Sequence, residues 1–190
     1  MSEPNNEHIA SPREGGVLMD SEPVVIHFMG GGIEVDAAPA GVNLYTGGGS
    51  IHVGSVHGSA VVKTMGGDIE IDSATGPVSA STMAGAITVH FHASSSGQPV
   101  DIDLSSNSGD ITLTVPKEFS MTIEVCLACT ENHRGQFQIA GNLALHGEES
   151  ALDHFRGSPR RYLRAGRTFG DGHNRVTINT INGNVSVIGR

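Results

Sequence analysis

The chain has no tryptophan, and aromatic residues fill only 4% of its 190 positions. A core anchored on large rings is therefore excluded, and burial falls to short aliphatic side chains. Basic residues are scarce too: 11 Lys and Arg stand against 20 Asp and Glu, a formal net charge of −9. That balance argues against nucleic acid and anionic membrane surfaces as general partners. No run of about eighteen apolar residues occurs, so no transmembrane helix is expected. The opening MSEPNNEHIASPREGG lacks the basic and apolar regions of a secretory leader, which by sequence points to the cytoplasm. No G-x-S-x-G, Walker loop or metal-protease motif is present.

Glycine is what the chain has in quantity: 26 residues, without a collagen-like triplet. From Gly30 to Val89 the glycines mark a repeat. Ile33, Ile51, Ile69 and Ile87 lie eighteen residues apart, as do Val35, Val53, Ile71 and Val89, with Gly31, Gly49, Gly67 and Gly85 two ahead of each isoleucine. Val42, Ala60 and Val78 follow nine residues later, and Leu44, Val62 and Ala80 two after those. Apolar residues alternate within each unit, which is strand spacing with one buried face. A fixed period near twenty residues predicts a solenoid. The fold class expected is all-β: a single-stranded β-helix (β-solenoid) of about seven eighteen-residue coils, with right-handed winding, in one domain.

Residues 1–22 are polar and read as a loosely attached tail, with the solenoid domain over 23–190. Val24 and Ile26 sit eighteen residues before Val42 and Leu44, so 24–28 is a half-coil that starts the stack. The step from Ile87 to Ile111 is twenty-four, which places a six-residue corner insertion near ASSSGQP. Met121, Ile123 and Val125 and then Ile139 continue the pattern. Residues 146–174 lose it and are expected to be an irregular arm, with a short helix over 148–155. Val176, Ile178, Val185 and Val187 return at a constant offset of 107 from Ile69, Ile71, Val78 and Ala80, giving a terminal coil in register.

The units GGDIEIDSATGPVSAST and the ending HNRVTINTINGNVSVIGR resemble the bacterial adhesin-like β-strand-repeat domains, a β-helical domain of unknown function. The resemblance covers roughly 24–190. It implies a β-helix often associated with the cell envelope or surface, and it carries no catalytic residues over to this chain.

Candidate chemistry is sparse. Cys126 and Cys129 form C-L-A-C with His133 beyond, but residues three apart on a strand face opposite sides and no second pair completes a zinc site. His90 and His92 share a strand face, with Asp101 and Asp103 as candidate neighbours. Glu34, His52, Glu70 and Thr88 form one outward column, and Thr46, Thr64, Thr82 and Ser106 a second, read as a hydroxyl ladder. Two adjacent threonine ranks on a flat face, as ice binding would need, are absent, because Tyr45, Lys63 and Ser81 fill the next column. The one local charge anomaly is Arg156, Arg160, Arg161, Arg164 and Arg167. Of these, Arg160, Arg161, Arg164 and Arg167 are the candidate contact for an acidic glycan or acidic protein surface. The function expected is a non-enzymatic binding or structural module, without cofactors and with association through the solenoid ends possible. The alternative is a carbohydrate-active β-helix enzyme, a polysaccharide lyase or hydrolase using Glu34 and Glu70 beside His52.

Overall fold

A computed structural model describes residues 22–93, 97–130, 136–149 and 160–190. Among these residues there is no helix. Sixteen strands occur: β1 Val24–Phe28, β2 Ile33–Ala38, β3 Gly41–Thr46, β4 Ile51–Val56, β5 Ser59–Thr64, β6 Ile69–Ala74, β7 Val78–Thr82, β8 Ile87–Phe91, β9 Asp101–Ser106, β10 Ile111–Val115, β11 Met121–Thr130, β12 Ile139–Gly141, β13 His146–Glu149, β14 Arg160–Phe169, β15 Asn174–Ile181 and β16 Val185–Gly189. They form two facing sheets. Sheet A runs β1-β3-β5-β7-β9-β15-β11-β14-β13, and sheet B runs β12-β16-β10-β8-β6-β4-β2.

The register is the one the repeat demands. Ile33 pairs with Ile51, Ile51 with Ile69, Ile69 with Ile87 and Ile87 with Ile111, all in parallel. Val42, Ala60, Val78 and Ile102 do the same across sheet A. These columns face inward and fill the space between the sheets with Ile, Val, Leu and Ala side chains. The Gly-rich corners permit the stacking because backbone meets backbone there. A Cβ on Gly67 would lie 2.3 Å from the carbonyl of Gly49.

Two expectations are corrected by the packing. The threonine column is not outward. Thr46, Thr64, Thr82 and Ser106 are buried, and each hydroxyl donates to the carbonyl of Gly31, Gly49, Gly67 or Gly85 at 2.8–3.0 Å. The ladder thus satisfies corner carbonyls that the coil winding leaves without a strand partner. Thr180 extends it by donating to Gly109 at 2.9 Å.

The coil over 174–189 is neither at the end of the stack nor in the expected register. Val176 pairs with Ile102 in the Val78 column of sheet A and Val185 with Ile111 in the Ile69 column of sheet B, half a coil away from the offset of 107. β15 lies between β9 and β11, pairing in parallel with both, and β16 lies between β10 and β12. The chain leaves β10, passes over one level to lay down β11 and β12, and only later returns to fill the vacant level. Two connectors cross at that point, and Ser120 ties them together. Its hydroxyl bonds the Asp171 carboxylate, and its carbonyl accepts from the Asn174 side chain at 2.7 Å.

The arm expected to be irregular is, in its described part, β-structure. β14 runs antiparallel to β11 from Thr130↔Arg160 to Met121↔Phe169, and β13 runs antiparallel to β14. Glu148 and Glu149 are strand residues, which removes the start of the expected helix. The remainder of that helix, the N-terminal tail up to residue 21, His133 and Arg156 lie outside the described residues. Association through the solenoid ends would involve β1 and β2 at one end, and β12 and β13 at the other.

Candidate functional site

Alternation assigns the arm's side chains to two faces. Arg161, Leu163, Ala165, Arg167 and Phe169 follow the inward columns of β11, whereas Arg160, Tyr162, Arg164, Gly166 and Thr168 point outward. The four candidate arginines are therefore split. Arg161 reaches Glu149 at 3.4 Å. Arg167 donates to the Ala144 carbonyl at 2.8 Å and lies over the Phe169 ring at 5.0 Å. Both serve the end of the stack, where sheet A extends two strands beyond the last strand of sheet B. Arg164 stands on the outer face, with its guanidinium 5.4 Å from the centroid of the Tyr162 ring.

Around Arg164 the outer face of sheet A forms a groove. One rank reads Asn179, Cys126, Arg164, Glu148 across β15, β11, β14 and β13, and the next reads Thr177, Glu124, Gly166. Gly166 supplies no side chain, so its neighbours become the walls of an open cavity of about 520 Å³. A second cavity of about 400 Å³ adjoins it, shares Glu124, and is lined by Asp101, Thr122, His173, Asn174 and Arg175. The site offers one guanidinium fork, two carboxylates, one amide and one hydroxyl in the first cavity. It mixes donors and acceptors and is not a basic patch.

The cysteines face opposite sides, as strand geometry requires, and both are free thiols. Cys126 lines the groove. Cys129 is on the inner side, where burial, and secondarily the negative charge of Glu149, push its thiol above the usual range. His90 and His92 share a third cavity of about 520 Å³ with Asp72 on sheet B, whereas Asp101 and Asp103 are on sheet A. The expected His/Asp set is thus not brought together, and no group of three or more His, Cys, Asp or Glu among the described residues is arranged to hold a metal. Glu34, His52, Glu70 and Thr88 do form one rank. His52 Nε2 sits 3.0 Å from Asp72, however, and 4.0 Å separates its Nδ1 from Glu34, on an exposed face.

Gly166, Glu124, Glu148 and Asn179 were not singled out from sequence. The signal for Asn179 misled, since the offset of 107 aligns it with Asp72 on sheet B, whereas it pairs with Ser105, in the column of Ser81 on sheet A. For the other three there was none, because they meet Arg164 only through antiparallel pairing that no period encodes.

A family model described as Toastrack DUF4097 matches residues 30–128. Among solved structures, the crystal structure of a proposed cell adhesion protein from Clostridium sporogenes aligns at 12% identity with a TM-score of 0.35. The alignment covers 77% of this chain and 56% of that one, so this chain spans little more than half of that protein's length, and the likeness is too loose to carry a functional argument. No curated protein matches the sequence.

Proposed function

We propose, from the premise that this chain belongs to the Toastrack DUF4097 family, that it is a non-enzymatic, adhesin-like binding module of the cell envelope or surface. Its ligand is an acidic glycan, taken in the groove on the outer face of sheet A. The observation that carries this reading is Arg164 standing beside a side-chain-free floor at Gly166, with Glu124, Glu148 and Asn179 around it. A guanidinium fork matches a carboxylate in two parallel hydrogen bonds, while the two Glu carboxylates accept from sugar hydroxyls. The same two acids repel a dense polyanion, so the fit is to a chain whose carboxylates are spaced apart and separated by hydroxyls. Tyr162, under Arg164, adds a ring against which a sugar face can pack.

The test is calorimetric titration with an oligogalacturonate, a neutral oligosaccharide of equal length serving as control. Arg164→Ala and Gly166→Leu should each reduce binding at least tenfold, and binding should weaken as salt shortens the screening length. Binding that survives both substitutions unchanged rejects the groove. The enzymatic alternative places Glu34 and Glu70 on an open, flat face. An assay for new reducing ends or unsaturated products from the same oligosaccharide separates it from simple binding.

A further inference from the structure

The corner after each early sheet A strand reads Phe28-Met29-Gly30-Gly31, Thr46-Gly47-Gly48-Gly49, Thr64-Met65-Gly66-Gly67 and Thr82-Met83-Ala84-Gly85. Phe28 pairs with Thr46, Thr46 with Thr64 and Thr64 with Thr82, so positions 29, 47, 65 and 83 stack in one column. Its three methionines are 94%, 48% and 51% exposed, whereas Met121, in the core, is 1% exposed. Among the described residues, only Val25 joins them as an exposed large hydrophobic residue. Apolar side chains left in water forgo the stabilisation that burial gives, so packing does not account for this column.

The gap in the column is fixed by the backbone. A Cβ at Gly47 would lie 2.3 Å from the Met29 carbonyl oxygen, so no side chain can stand between Met29 and Met65. Met65 and Met83 are one strand spacing apart, about 4.8 Å. The Tyr45 hydroxyl donates to the Met65 sulfur at 3.6 Å, and the Tyr45 ring meets that of His27 edge-on at 6.1 Å. One sulfur is therefore oriented by the Tyr45 hydroxyl, while Met29 stands almost fully in solvent and Met65 and Met83 are half exposed.

We propose that Met29, Met65 and Met83 form a thioether site for a soft monovalent cation, Cu(I). Thioether sulfur is neutral and polarisable, and it selects Cu(I) over the hard oxygen-seeking Mg²⁺ and Ca²⁺. The methionine side chain is unbranched and has three rotatable bonds, so Met29 and Met65 can lean over the bare Gly47 rank towards a shared ion, with Met83 closing the third side. This site is independent of the groove. It lies at the opposite end of sheet A from Arg164.

The test uses the full chain with Cys126→Ser and Cys129→Ser, which removes competing thiolates, and ¹³C-labelled methionine methyl groups. Under anaerobic conditions it is titrated with Cu(I), and separately with Ag(I), a redox-inert cation of the same charge. The methyl signals of Met29, Met65 and Met83 should shift together and saturate at one ion per chain, with Met121 unmoved and Zn²⁺ without effect. Adding Met65→Leu and Met83→Leu should weaken Cu(I) retention against a chromophoric chelator about tenfold or more, with thermal unfolding unchanged because both positions are exposed. Unmoved methyl signals, or retention indifferent to the two leucines, would overturn the site.

Discussion

The tightest constraints in this molecule fall on single residues at the coil corners. Gly66 and Gly67 are adjacent, yet a Cβ on Gly66 would find its nearest atom at 4.0 Å, while one on Gly67 would meet the Gly49 carbonyl at 2.3 Å. Gly66→Ala should therefore shift stability by no more than about 1 kcal/mol, and Gly67→Ala should cost about 3 kcal/mol or more. Urea denaturation of the two variants makes the comparison. In the core, Ile69→Ala removes a side chain at the middle of the stack and should cost about 2–5 kcal/mol. His52→Ala loses an exposed contact to Asp72 and should stay within about 1 kcal/mol. Equal losses would mean that inside and outside are wrongly assigned. At the crossing of the connectors, Asp171 accepts from the Ser120 hydroxyl and the His173 amide, and these bonds hold its carboxyl below the ordinary value of 3.8. A depressed folded-state pKa contributes stability above the unfolded value, and that contribution is lost as pH falls through the lowered one. Asp171→Asn should accordingly flatten the acid limb of a stability-versus-pH curve below about pH 4.

At the level of elements, β1 to β10 were legible because each inward column repeats one residue class at one spacing, as at Ile33, Ile51, Ile69 and Ile87. β14 was not, although Leu163, Ala165 and Phe169 do alternate. Arg161 and Arg167 occupy the inward positions between and beside them, which breaks the apolar pattern. They are tolerated because β14 lies past the end of sheet B, so its inner face meets Glu149 and the Ala144 carbonyl instead of an opposing strand. The groove was hidden for the same reason: its walls come from an antiparallel return. β14 should accordingly behave as a separable edge. Leu163→Ala should lower amide-exchange protection in β13 and β14 while leaving β4 to β8 as slow as in the parent chain. Uniform loss of protection along the whole stack would contradict that independence.

On the scale of the whole molecule, the stack is quasi-one-dimensional, with each coil resting chiefly on its two neighbours. The coil of residues 174–189 is exceptional because both of its neighbours come earlier in the chain. Ending the chain at residue 173 should therefore do more than shorten the solenoid. It removes Val176, Ile178, Val185 and Val187 from inside the core and parts β9 from β11. Such a chain should lose cooperative unfolding in the far half and self-associate through the four strand edges exposed, measurable by sedimentation. A monomer that unfolds in a single transition like the parent would contradict the inserted position.

That inserted level also sets a timetable. Strands emerge from the ribosome in chain order, so β11 and β14 exist before the strand that belongs beside β11 has been made. At about 5–20 residues per second, residues 174–190 take roughly one to three seconds to synthesise. Through that interval the nascent chain carries an open seam flanked by two strands of each sheet, neither able to close onto the other in final register. The far half of this protein must then fold after translation has passed residue 190, and the seam is the stretch that a chaperone or another nascent copy would meet first.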